Sequence, residues 1–199
     1  MNIPYLLILI RFLFAPIILA LAYYVGNEGR VAILVLLFFG LLTDIFDGII
    51  ARKMGISSTK LRRLDSQVDL VFWTSIGISC YILNPEIIKT NKVEIILVFA
   101  MEALCYLTSF IRFGKETCTH AFLSKLWGLL LFSTFVSIIG FSYGGWLLKL
   151  TIIWGIISQL DVILIILILP KWQNDIPSSY HSYLIRKGIP FKKSKLLND

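Results

Sequence analysis

Apolar residues in this chain come in long runs, without the regular polar interruptions of a soluble amphipathic fold. Six runs stand out, at about 4–25, 31–51, 66–84, 93–112, 122–142 and 145–169. A helix rises ~1.5 Å per residue, so roughly 20 apolar residues cross a hydrocarbon core ~30 Å thick. All six runs are long enough to span as helices, the third with help from its flanks. Turn-forming residues separate several of them: Gly26-Asn27-Glu28-Gly29, Asn84-Pro85 and Ser142-Tyr143-Gly144-Gly145. No internal repeat or low-complexity tract interrupts the order. The pattern predicts an all-α integral membrane domain of six transmembrane helices over residues 1–170, then a basic tail over 171–199.

Ala20-Leu21-Ala22 at the end of the first run has the small-residue look of a signal-peptide cleavage site. No Lys or Arg precedes the apolar stretch, however, and Arg11 interrupts it, so a retained span is expected.

Composition agrees. Of 199 residues 57% are hydrophobic and only 16% charged, with a mean hydropathy of +0.82, which excludes a disordered chain and disfavours an ordinary soluble domain. Cys80, Cys105 and Cys118 are odd in number and lack metal-ligand spacing, so neither a disulfide framework nor a zinc site is expected.

The net charge of +7 gains meaning from its placement. With both termini in the cytoplasm, the inner side collects Arg11, Arg52, Lys53, Lys60, Arg62, Arg63, Arg112, Lys115 and Lys125. The tail adds Lys171, Arg186, Lys187, Lys192, Lys193 and Lys195. Of the 19 Lys and Arg residues, only Arg30, Lys89, Lys92 and Lys149 then fall outside. That asymmetry supports inner termini and gives the basic loops an anionic leaflet to lie on, with no nucleic acid needed.

The acids carry the chemistry. Asp44 and Asp47 lie near the end of the second run, and Asp65 and Asp69 open the third. Asp44 and Asp47 are i,i+3, with Ala51 a further turn on, and Asp65 and Asp69 are i,i+4, so each pair shares a helix face. A connection of about a dozen residues makes the two helices neighbours, and the carboxylates can converge. Oxygen ligands without His or Cys favour Mg²⁺, Mn²⁺ or Ca²⁺, and two such ions would neutralise the four charges. The alternative is that the acids pair with Arg52, Lys53, Lys60, Arg62 and Arg63 at the interface. Gly48, which follows Asp47 directly, favours the metal site by leaving the turn bare for a bulky ligand, although a glycine there also suits helix packing.

Asp44-x2-Asp47-Gly48-x2-Ala51-Arg52, followed by Asp65-x3-Asp69, resembles the signature D-x2-D-G-x2-A-R-x8-G-x3-D-x3-D of the CDP-alcohol phosphatidyltransferase family. The opening NIPYLLILIRFLFAP, with Pro4, Arg11 and Pro16, is similar to the start of bacterial phosphatidylglycerophosphate synthases. One position departs: Leu61 stands where the second glycine of the signature falls, next to the nucleotide the resemblance implies, where a leucine would crowd the cytidine, shift the helix start or be absorbed by a local change.

The resemblance implies two divalent cations, Mg²⁺ or Mn²⁺, held by Asp44, Asp47, Asp65 and Asp69, with Asp69 also the general base. It implies that Gly48, Arg52 and Ser58 contact the CDP part of the donor. It further implies a homodimer, a bacterial inner-membrane location and a site facing the cytoplasm. CDP-diacylglycerol is the expected donor, glycerol 3-phosphate the expected acceptor and CMP the leaving group. Inositol phosphate, serine or a CDP-choline-type donor are the alternatives within the family. Arg112, Lys115 and Lys125 are the candidates for binding an acceptor phosphate, against a reading as interfacial anchors, and the nearby His120 reads as loop.

Two further acids, Glu102 and Asp161, fall near the middle of the fourth and sixth runs and are functional candidates by default. A small proton-coupled transporter would use such residues, but it leaves the ordered spacing from Asp44 to Asp69 unexplained. In the tail, Leu184 and Ile185 with Arg186 and Lys187 suit either a short helix on anionic lipid or a disordered end.

Overall fold

The structure is a computed structural model that describes residues 2–56, 58–117, 119 and 121–190. Among these residues every regular element is helical. Helix α1 (Ile3–Ala20) opens on Pro4, at a position where no intrahelical donor is needed. It runs through Pro16 without ending, as membrane helices can. A π turn (Leu21–Val25) and a 3-10 turn (Gly26–Gly29) follow, with Gly26 at φ +64°, a left-handed conformation that suits glycine. Helix α2 (Arg30–Lys53) then packs back against α1.

The connection to α3 (Thr59–Leu83) is residues 54–58, shorter than the dozen expected from hydropathy. The polar stretch from Lys60 to Asp65 is itself helical, because Ser58 caps it: its hydroxyl oxygen accepts the Leu61 N–H at 3.2 Å. A short α4 (Pro85–Thr90) follows at the Asn84-Pro85 turn. The remaining elements are α5 (Lys92–Phe113), α6 (Phe122–Phe141), α7 (Trp146–Ile168) and α8 (Ser179–Lys187).

Five helical stretches are long and apolar enough to cross a membrane: Ile3–Lys53, Thr59–Leu83, Lys92–Phe113, Phe122–Phe141 and Trp146–Ile168. The first has 51 residues and contains both α1 and α2. Large apolar side chains such as Phe110, Ile111 and Phe141 point outward, at 63, 78 and 78% exposure. Such a surface is stable against lipid tails and not against water. The chain is therefore an integral membrane protein.

The chain divides into two compact units. The first takes residues 1–91 and 132–145, in which α1 packs against both α2 and α3. Its buried apolar residues include Ile8, Ala51, Leu61 and Val68 in one cluster. Gly40 on α2 admits the Phe72 ring of α3, which a Cβ there would overlap. Arg30 pins one end: its guanidinium donates to Asn27 Oδ1, Ile139 O, Ser142 Oγ, Leu83 O and Asn84 Oδ1, at 2.6–3.3 Å. These carbonyls belong to helix ends, which lack intrahelical donors.

The second unit takes residues 92–131 and 146–199. There α5 packs on α7, and α7 on α8. Cys105, Val162, Ile165, Ile166 and Leu169 form much of its core. Trp127 fits against the bare backbone of Gly155 and donates its Nε1–H to Thr151 O at 3.1 Å.

Candidate active site

The signature residues lie in the first unit, on facing stretches of α2 and α3. The i,i+3 and i,i+4 spacings place the aspartates toward each other, and carboxylate oxygens of Asp44, Asp47 and Asp65 lie within 4.8 Å of one another. The centre of the group is filled by a residue from a third helix. Arg11 of α1, 0% exposed, reaches all four acids. Its Nη1 lies 2.5 Å from Asp44 Oδ1 and 2.8 Å from Asp69 Oδ1. Its Nη2 lies 2.7 Å from Asp47 Oδ2 and 2.5 Å from Asp65 Oδ1. Three of these contacts are hydrogen bonds. The fourth is an ion pair only, since Asp69 Oδ1 is buried without an aligned donor.

Sequence reasoning placed Arg11 with the interfacial cations and looked for partners of the acids among residues close in the chain. The signal for Arg11 was present: a charge inside a membrane helix needs a partner, and these four acids are the strongest candidates.

The donor set fits divalent cations. It is all oxygen, its members converge, one buried oxygen of Asp69 accepts no hydrogen bond, and the cluster already holds a cation in the form of a guanidinium. Asp44 and Asp69 keep side-chain exposures of 32% and 26%, whereas Asp47 and Asp65 are nearly closed off. The open pair faces outward and the closed pair backs it.

Next to the acids is a narrow cleft lined by Pro4 and Ile8 of α1, Asp47, Gly48 and Ala51 of α2, and Leu61, Arg62 and Asp65 of α3. Its volume is about 10 Å³, room for one water. Leu61, 3% exposed, fills this region as part of the apolar cluster with Ile8, Ala51 and Val68. Arg52 lies over the bare turn at Gly48, where a Cβ would sit 3.4 Å from Arg52 Nη1. Ser58 is exposed and keeps its hydroxyl proton for another acceptor while its oxygen caps α3.

The other basic candidates belong to the second unit. Arg112 Nη2 donates to Leu169 O at 3.0 Å, and Lys115 Nζ lies 5.1 Å from the centre of the Trp172 ring. Lys125 is exposed in the first turn of α6. His120, Cys118, Lys192, Lys193 and Lys195 lie outside the described residues. Glu102 and Asp161 do not bond to each other. Glu102 accepts from Gln159 Nε2 at 2.9 Å, and Asp161 accepts the Ser179 N–H at 3.1 Å, capping α8. Each has a structural partner, although the second carboxylate oxygen of Asp161 is buried without one.

Residues 1–170 match the family model described as CDP-alcohol phosphatidyltransferase. The chain belongs to the CDP-alcohol phosphatidyltransferase family. Among curated relatives, a CDP-diacylglycerol--glycerol-3-phosphate 3-phosphatidyltransferase of Aquifex aeolicus (strain VF5) is 42% identical over 72 residues. That alignment covers 36% of this chain and 39% of the relative, so the chain spans about two fifths of that protein's length. No solved structure matches. Within the matched residues, the structure sets the four aspartates around one cationic centre, the Arg11 guanidinium.

Proposed function

We propose that the chain transfers a phosphatidyl group from CDP-diacylglycerol to an alcohol hydroxyl, releasing CMP, in phospholipid synthesis. The carrying observation is the convergence of four aspartates from two helices on one buried cation beside Gly48 and Arg52. Glycerol 3-phosphate is the acceptor we favour, supported by the name of the Aquifex relative.

In this reading Asp44, Asp47, Asp65 and Asp69 hold two divalent cations, Mg²⁺ or Mn²⁺. When bound, these would supply positive charge against the donor's pyrophosphate as CMP departs. Arg52 offers its planar fork to a donor phosphate, Ser58 its O–H, and Gly48 a turn without a side chain. Asp69 accepts the proton of the acceptor hydroxyl as its oxygen attacks the lipid-side phosphorus and the bond from that phosphorus to the CMP oxygen breaks. No covalent enzyme intermediate is needed.

The topology proposed is six passes, formed by α1, α2, α3, α5, α6 and α7. The 51-residue first stretch would be roughly 77 Å long if straight, and α1 and α2 lie against each other, which favours two passes. The distribution of Lys and Arg favours cytoplasmic termini and a cytoplasmic site in a bacterial inner membrane. Residues 1–170 would form the membrane domain and 171–199 the tail, and family membership supports a homodimer.

The test is CMP release by purified protein with CDP-diacylglycerol and Mg²⁺ or Mn²⁺, each acceptor added separately. Release that needs glycerol 3-phosphate, metal and Asp69 is expected. Release with inositol phosphate or serine alone would reassign the product, and none with any donor and acceptor pair would sink the proposal.

A further inference from the structure

Arg11 sits where the cations of the proposed reaction would bind, which raises the question of what it does there. We propose that Arg11 is the counter-ion of the metal-free site, and that its guanidinium and divalent cations compete for the same carboxylate oxygens. The inference rests on the two-cation reading above.

Four carboxylates drawn together in an apolar domain need positive charge to fold there at all. Arg11 supplies it through two nitrogens, each serving one aspartate of α2 and one of α3: Nη1 faces Asp44 and Asp69, and Nη2 faces Asp47 and Asp65. Hard cations bind oxygen at roughly 2.0–2.6 Å. Carboxylate oxygens of three of these aspartates lie within 4.8 Å of one another, so a cation shared among them takes the volume the guanidinium now fills.

The seat of Arg11 is also incomplete. Its Nε is buried without a hydrogen-bond partner, and Asp69 Oδ1 beside Nη1 is off line. A permanent structural ion pair satisfies its donors and acceptors. Arg11 is moreover on α1 and every proposed ligand is on α2 or α3, so it can withdraw without separating the ligands. The displaced guanidinium then needs a new anion, and the phosphates of the reaction are partners of the right class.

The experiment measures Mn²⁺ affinity without lipid or acceptor, by the loss of the free Mn²⁺ paramagnetic resonance signal, for the wild type, Arg11→Gln and Arg11→Lys. Melting temperature in EDTA is read alongside. Competition predicts Mn²⁺ binding tighter by about tenfold in Arg11→Gln, and a lower melting temperature in EDTA that Mn²⁺ restores. Arg11→Lys, whose single ammonium cannot bridge both carboxylate pairs, also binds tighter, and it carries the test if Arg11→Gln does not fold. Unchanged or weaker Mn²⁺ binding in a folded variant overturns the competition and leaves the two-cation reading standing. No Mn²⁺ bound by any of the three proteins overturns both.

Discussion

The two units bury acids in opposite ways. In the first, four aspartates share one guanidinium, so charge is concentrated and only partly offset by that contact. In the second, Glu102 and Asp161 each take a separate neutral donor, an amide side chain and a helix-end N–H. A carboxylate with one neutral partner is a fold contact. Carboxylates that crowd around a single cation are a site able to exchange that cation for another. Both kinds of acid stand out in an apolar sequence, and the pattern of partners separates them.

Substitutions at matched positions sharpen that contrast. The largest effect is expected at Asp69: Asp69→Asn should lower CMP release by about 10²–10⁴-fold at nearly unchanged melting temperature, as removal of a general base does. Near-normal turnover would reject the role. Next is Leu61→Ala, which empties a buried position against Ile8, Ala51 and Val68. It should cost about 2–5 kcal/mol in reversible unfolding. The same variant should bind CDP-lipid more tightly in equilibrium titrations if Leu61 crowds the nucleotide, and looser binding would show that its packing holds the site together.

Gly40→Ala should follow, at about 1–3 kcal/mol, because the new Cβ would overlap Phe72 and the ring must shift. A melting temperature equal to wild type would mean that α2 and α3 are less tightly set than their contact implies. The smallest effect belongs to Glu102→Gln, which keeps a carbonyl for Gln159: stability should change by less than about 1 kcal/mol and CMP release by less than about twofold. A large loss of activity there would break the contrast and make the second unit's acid functional.

Much of this was legible in the sequence, and the rest was hidden for identifiable reasons. Each apolar run has its helix, and apart from the start of α3 the bounds agree within a few residues, because hydropathy over 20 positions averages out local detail. The aspartate faces were legible too, since i,i+3 and i,i+4 neighbours follow from helix geometry alone. Arg11 as their partner was only half legible: a charge inside an apolar run needs a partner, but contact with all four acids depends on the rotation of α1 against α2 and α3, which only packing sets. The start of α3 was missed by hydropathy because its first turns are polar, although Ser58 is a cap signal that marks it. Leu61 could be read as a departure from a motif, but its place in an apolar cluster required the fold. The tail helix α8 was half legible: its composition allowed a helix, and the Asp161 cap that holds it lies 18 positions away in sequence.

The Arg30 clamp has a mechanical consequence. Arg30 begins α2, and Asp44 and Asp47 lie 14 and 17 positions further along it, some 21–25 Å away at the helical rise. The clamp fastens helix ends and the turn before α2 at one end, while the aspartate end of the same unit is held by charge around Arg11 and by the apolar cluster of Ile8, Ala51, Leu61 and Val68. Pivoted at Arg30, a tilt of about 5° would carry the aspartate end of the helix by about 2 Å, the scale of one added ion.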